Sequence, residues 1–291
     1  MFLPSVNAPD LHLAFTYKVY LRWHTHRLRP LPALAALTLA EAQEFAATAG
    51  IRILELSADE RHLLALVSLA PTDSVSVCAS KLKGALSKWL RRRMGLAEAE
   101  NLLGRGYFAC TAGHNVREDV TGYLDKQPAH HGYDQRILPP VFVKEWEPAL
   151  AEEARLNPAH AIAVLQFHVV LASANRHGVF GDESGPVLAE DWRRLQESER
   201  FKLLKVSFVP DHIHLALRAH PAVVPVELVA RLMNAAQERM LRDFPEHLIQ
   251  AGISRLWPNG AYLGSYGDIT SKRVQGYMQR WEAGAEAGQV L

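Results

Sequence analysis

Residues 17–23 read YKVYLRW, and residues 167–173, 150 positions further on, read FHVVLAS. Both are short runs with apolar side chains at every second position, the pattern of a half-buried strand. The likeness continues in order along the chain. ADERHLLALVSL, from Ala58, faces VPDHIHLALRAH, from Val209, which sets His62 opposite His214. GYFACTAG, from Gly106, faces AYLGSYG, from Ala261, which sets Gly113 opposite Gly267. DVTGYLDKQ faces RVQGYMQRW, which sets Tyr123 opposite Tyr277. Collinear matches whose spacing drifts by only a few residues mark a duplicated unit.

Each copy repeats one order of elements. The first predicts a strand over 13–23, a helix over 38–48 ended by Gly50, strands over 51–57 and 62–69, and a helix over 74–94. A strand over 107–112 follows, then a helix from Asn115 to Gln127, with Glu118 completing a capping box. The second predicts a strand over 162–172, a helix over 188–199, strands over 201–208 and 212–218, and a helix over 224–243. A strand over 261–266 and a helix from Asp268 to Glu282 close it. The order βαββαβα implies an α+β fold, an antiparallel sheet backed by helices. The expected division is a first domain over 1–127, a linker over 128–160 and a second domain over 161–291. Pro128, Pro139, Pro140 and Pro158 punctuate the linker, with a short helix expected near 146–155.

A length of 291 residues agrees with two domains. Hydrophobic residues at 48% and charged residues at 22% exclude a mainly disordered chain. The balance of 32 Lys and Arg against 31 Asp and Glu excludes a protein that coats nucleic acid with its whole surface, though not one with a local basic face. Cys78 and Cys110 are too few for a disulfide scaffold or a cysteine-based zinc site. The opening MFLPSVNAPDLHLAF is a poor signal peptide, and no run of about 18 apolar residues suits a membrane span. The expected compartment is the reducing cytoplasm.

Among the 14 histidines, His212 and His214 stand out. In a strand, residues i and i+2 share a face, so two imidazoles project side by side, a spacing that suits two nitrogen ligands on one metal. The same spacing also suits two ordinary polar positions. His24 and His26 repeat it in an Arg-rich stretch and read as solvated or phosphate-contacting. His130 and His131 fall in the linker, and His168 belongs to the second copy's first strand, beside the core. Tyr123 and Gln127, four apart, share one helix face. A tyrosine hydroxyl becomes a usable nucleophile when its proton is removed and its target polarised; the plainer reading is a packed tyrosine beside a solvated glutamine. Lys81, Lys83, Lys88, Arg91, Arg92 and Arg93 give the first copy's long helix a basic run, either a solvated face or a phosphate-binding one. Trp23, Trp89 and Trp257 read as core packing, with base stacking the alternative.

Together these elements resemble the single-tyrosine HUH transposases, named for His-hydrophobe-His, here His212-Ile213-His214. The first strand resembles the family's opening Tyr/Phe-His-Val-Val. PTDSVSVCASKLKGALSKWL resembles its long helix, and Tyr123-Leu-Asp-Lys-Gln127 its nucleophile helix. The likeness spans about 13–127 and 162–282. It implies two ferredoxin-like domains forming a pseudo-dimer within one chain, acting on single-stranded or hairpin DNA. It further implies Mg²⁺ or Mn²⁺ held by His212, His214 and Gln127, and attack by a tyrosine to give a 5′-phosphotyrosine and a free 3′-hydroxyl. Tyr123 is the preferred nucleophile and Tyr277 the alternative.

Departures from the family sharpen the expectation. Aligned by sequence, the first copy reads Glu60-Arg61-His62 at the HUH position, a degenerate site, and the second has Trp281 where the first has Gln127. If each tyrosine helix completes the other copy's site, His212 and His214 meet Tyr123 and Gln127, and Glu60, His62, Tyr277 and Trp281 make a decayed partner. If each helix serves its own copy, both sites carry one defect; the crossed arrangement is favoured. The expected partner is DNA, with no membrane, in a cytoplasmic, nucleoid-associated monomer that acts as a pseudo-dimer and can dimerise further. The alternatives are a domesticated, catalytically inactive DNA-binding protein and a pseudo-symmetric interaction platform.

Overall fold

The computed structural model describes residues 5–96, 100–113, 139–147, 155–158, 160–270 and 272–286. The expected helix over 115–127, with Tyr123 and Gln127, lies outside them, as do His130, His131 and most of the helix expected near 146–155. In the first copy the strands are β1 (His12–Thr16), β2 (Lys18–His24), β3 (Arg52–Ala58), β4 (His62–Ser68) and β5 (Tyr107–Ala112). The second holds β7 (Ala161–Ala172), β8 (Phe201–Val209), β9 (His212–Ala219) and β10 (Gly260–Tyr266). Between them the expected linker supplies β6 (Phe142–Glu145), an edge strand antiparallel to β8. This departs from a linker free of sheet. FVKE is too short to show a period, and its pairing with β8 carries the signal; Glu145 lies 3.5 Å from the buried ammonium of Lys205.

All ten strands join one sheet, with the path β3-β4-β2-β5-β7-β9-β8-β6. β2 pairs antiparallel with β5, while the start of β7 pairs parallel with β5. The rest of β7 pairs antiparallel with β10, while β1 pairs parallel with β10. Each copy's first strand therefore bonds its own last strand over one stretch and the other copy's last strand over another.

The pairing registers fix which residues correspond. β2–β4 ends on His24 opposite His62, and β7–β9 ends on Ala172 opposite His212. Bulges fall at Ile53/Glu55 and Leu203/Lys205, and the left-handed pairs Arg27-Leu28 and Asn175-Arg176 follow the two first strands. His62 thus corresponds to His212, and Leu64 to His214. This corrects the sequence alignment, which set His62 against His214, by two residues. A slip of two keeps every side chain on its face, so alternation cannot detect it.

Helices α1 (Pro32–Ala35), α2 (Leu39–Ala47), α3 (Val75–Met94), α4 (Ser184–Leu195), α5 (Pro225–Asp243), α6 (Pro245–Gln250) and α7 (Lys272–Glu286) complete the described elements. Thr38 and Glu41 cap α2 reciprocally. Ser74 caps α3 and Gly95, at φ 64°, ends it in the left-handed conformation. The odd-numbered residues of β7 and β9, among them Phe167, Val169, Leu215 and Leu217, pack in one continuous core with α3, α5 and Trp257. The indoles of Trp192 and Trp257 donate to the carbonyls of Leu232 and Met233, at 2.9 and 2.7 Å, tying both rings to α5. Trp23 is also buried and Trp89 packs partly against this core. Even-numbered positions face the other side, where α7 lies.

Candidate functional site

Strand alternation delivers His212 and His214 to the even face, with ring centroids 4.8 Å apart. His212 holds its Nδ1 2.6 Å from Asp211 Oδ1, and Asp211 Oδ2 lies 2.7 Å from Arg176 Nε. His214 is buried, and its Nδ1 lies 2.9 Å from Nε2 of His168, on the neighbouring strand. The His168 and His214 rings are nearly parallel, at 17°, with centroids 5.2 Å apart, and Tyr262 meets His168 edge to face at 6.0 Å. Burial pulls the pKa of His168 down to about 4, so it is neutral at physiological pH. Where Nδ1 donates, Nε2 carries the lone pair that a metal needs, so the two Nδ1 contacts suit a pair of Nε2 ligands. Among the described residues no group of three or more His, Cys, Asp or Glu is gathered to hold a metal.

The equivalent place in the first copy is dismantled. His62 remains, with Nδ1 3.3 Å from Asp59 Oδ2. Leu64 takes the second histidine's place. Glu60, which the sequence alignment sets at the first position of the degenerate site, sits exposed on the β3–β4 turn instead, its carbonyl accepting from Leu31 N at 2.7 Å. The register places it before the strand, opposite Pro210 of the other copy.

Helix α7 follows β10 of the second copy yet covers the first. Tyr277, Met278, Val274 and Trp281 form one cluster with Phe108 and Cys110 of β5 and Val164 at the start of β7. Glu282 pairs with Arg22 of β2 at 2.7 Å. Trp281 packs its ring 5.0 Å from that of His24, the cross-strand neighbour of His62. His24 is itself buried, with Nδ1 2.8 Å from the Thr25 carbonyl; burial lowers its pKa, which that carbonyl partly opposes. It therefore belongs to the packing and not to the solvated pair expected with His26. Tyr277, the alternative nucleophile, is 8% exposed, under the Arg280 guanidinium at 4.5 Å.

Of the basic run on α3, Lys81, Lys88, Arg92 and Arg93 are exposed. Arg91 donates to the Glu100 carbonyl at 3.0 Å. Lys83 is half-buried, and burial, then Arg105, lowers its pKa. The apolar side of α3 packs on the core face, so the helix lies across the sheet from His212 and His214. The three terminal arginines also complement the helix dipole, a structural reason for part of the run.

Two segments of the chain, 36–127 and 161–280, each match the family model of IS200-like transposases. The chain belongs to the IS200-like transposase family. Most of its length is thus two copies of a DNA-processing transposase unit. The ISDra2 transposase TnpA of Deinococcus radiodurans is 24% identical over 115 residues, 40% of this chain and 82% of that protein. A crystal structure of a Deinococcus radiodurans protein assigned as a transposase has 28% identity over 40% of this chain and 91% of that one, with a TM-score of 0.33. The TnpA relative is about one copy long, and this transposase-family chain carries two segments that match the family model. No described helix is long and apolar enough to cross a membrane.

Sequence reasoning missed two residues of this site. The sequence sets His168 beside the core; its partner is on another strand, and only the register brings them together. Asp211 precedes the pair and was passed over, although an acid beside a ligand histidine is a recurrent orienting device.

Proposed function

We propose that this chain is a metal-dependent nickase and strand transferase for single-stranded or hairpin DNA, with one composite active centre. His212 and His214 would hold Mg²⁺ or Mn²⁺, with the Gln127 amide as third donor, and Tyr123 would be the nucleophile. The bound ion would supply charge stabilisation at the scissile phosphate. The Tyr123 hydroxyl gives up its proton and its oxygen bonds to phosphorus. The bond from phosphorus to the 3′ oxygen breaks, leaving a 5′-phosphotyrosine and a 3′-hydroxyl once that oxygen is protonated. The reverse step rejoins strands without a nucleotide cofactor, because the phosphodiester energy stays in the tyrosine ester. Asp211 and His168 hold the two imidazoles in place meanwhile.

One observation carries this reading: α7 crosses onto the strands of the other copy. In the second copy, Tyr262, Gly264, Val170 and Ala172 are the counterparts of Phe108, Cys110, Arg22 and His24, and the crossed reading assigns the Tyr123 segment to them. Trp281 packs on His24, the cross-strand neighbour of His62, and Ala172, the counterpart of His24, is the cross-strand neighbour of His212; the crossed reading therefore assigns Gln127, the counterpart of Trp281, to the His212 centre. In this arrangement the chain acts as a ferredoxin-like pseudo-dimer, working where DNA is, in the cytoplasm and on the nucleoid.

Incubation with Mn²⁺ and a library of hairpin and single-stranded DNA tests it on denaturing gels. Wild type and Tyr277→Phe should form a covalent DNA adduct, and Tyr123→Phe should not. Loss of the adduct only in Tyr277→Phe overturns the crossed centre. No adduct in any protein, with salt-sensitive DNA binding retained, makes the chain an inactive DNA-binding protein.

A further inference from the structure

We propose that His168 is a positioning residue: it accepts a hydrogen bond from His214 Nδ1 and so fixes His214 in the tautomer whose Nε2 can bind a metal. The inference rests on the reading of His212 and His214 as ligands, and adds a residue to that site. Its geometric basis is direct. Nε2 of His168 and Nδ1 of His214 are 2.9 Å apart, the ring planes are within 17° of parallel, and the centroids are 5.2 Å apart, the full length that the contact and one ring radius at each end can span, so the contact lies near the plane of both rings, where imidazole lone pairs and N–H bonds point. One nitrogen must donate and the other accept. A ligand Nε2 on His214 requires its Nδ1 to be the donor, which makes His168 Nε2 the acceptor and places that ring's proton on its own Nδ1.

The duplication supplies an internal comparison that bears on the same point. In the first copy, Leu64 stands in place of His214, and Tyr20 stands in place of His168. The ligand and its neighbour are absent together. The other histidine survives in both copies, and both times a carboxylate holds its Nδ1: Asp59 at 3.3 Å from His62, Asp211 at 2.6 Å from His212. The two carboxylates come from different sequence positions, three before and one before the histidine, so the contact persists where the sequence around it has changed. Each retained imidazole has an orienting partner, and the copy that lost one imidazole lacks its partner too. A merely packed His168 has no reason to follow His214.

The test measures the tautomer and the metal separately. Imidazole nitrogen-15 shifts of the metal-free protein should show His214 protonated on Nδ1 in wild type. In His168→Phe they should show that preference lost. His168→Gln, whose amide oxygen can accept in the same place, should restore it, and also serves if the Phe variant does not fold. Titration of the full chain with Mn²⁺ should show affinity falling roughly tenfold or more in His168→Phe, recovering in His168→Gln, and vanishing in His214→Ala. A His214 tautomer and Mn²⁺ affinity that stay at wild-type values in folded His168→Phe overturn the proposal. If wild type binds no Mn²⁺ yet the tautomer responds to His168, the orienting contact stands and the metal reading falls.

Discussion

Asp211 is the clearest case of one side chain doing two electrostatic jobs. One carboxylate oxygen accepts a hydrogen bond from His212 Nδ1 and the other accepts from Arg176 Nε. The arginine keeps the carboxylate oriented, and the carboxylate keeps the imidazole in the tautomer that leaves Nε2 basic. Asp211→Ala should therefore weaken Mn²⁺ binding by about 10–100-fold, the usual effect of removing a carboxylate that orients a ligand histidine. The melting temperature should change little, since the pair is partly solvated and exposed pairs are worth roughly 0–1 kcal/mol. Calorimetric Mn²⁺ titration of the two proteins checks this, and equal affinities would remove Asp211 from the site. At this scale the sequence spoke plainly only about His212 and His214, because i and i+2 on one strand need no tertiary knowledge. His168 needed the neighbouring strand, and Glu60 was misplaced by a two-residue slip that preserves the alternation.

Helix α7 shows what periodicity can and cannot say about an element. The spacing of Val274, Tyr277, Met278 and Trp281 announces a buried face, and the expected helix was found with its bounds shifted by about a turn. Nothing in that spacing names the surface that buries it. The answer, strands of the other copy, depends on how β5 and β10 both pair with β7. The indole of Trp281 is 1% exposed and packs on His24 and Phe108. Trp281→Ala should cost about 3–5 kcal/mol, as for other large-to-small changes in a packed core. Denaturant unfolding measures this. Adduct formation at a permissive temperature should survive, because the indole fills the dismantled half and not the complete one. Loss of adduct in a folded Trp281→Ala protein would mean that the two halves are coupled.

For the whole molecule, near-neutral net charge hides an uneven distribution, and the same holds for its protonation. Burial, then the Arg200 guanidinium, depresses His220 to about 4, and burial depresses His24. A histidine whose folded pKa lies below its unfolded value of about 6.5 binds fewer protons when folded, so stability is present above that pH and is lost as pH falls toward 4. The melting temperature should therefore decline between about pH 6.5 and 4. A second decline below pH 4 should follow as Glu190 and Asp243, both held to about 2 by arginine hydrogen bonds, protonate. His220→Gln should reduce the first decline, with the buried His168 and His24 keeping the remainder, and leave the second, as thermal scans across pH would show.

Duplication also sets a limit on the chemistry of one chain. A pair of identical units offers two equivalent centres, and divergence has acted on one of them at three points. On the proposed reading, Leu64 stands where the other copy has a ligand, Trp281 stands where the first copy has Gln127, and Tyr277 is packed under Arg280. Restoring that half would need a new imidazole, a smaller side chain and a freed hydroxyl together, so single substitutions should not revive it. The expected yield at saturating hairpin DNA is therefore one phosphotyrosine per chain, on Tyr123, measured by intact-protein mass after nuclease trimming. Tyr277→Phe should leave that yield at one. A second adduct on wild type, absent from Tyr277→Phe, would show that the packed half opens and works, and the chain would then be a two-centre enzyme like a symmetric pair.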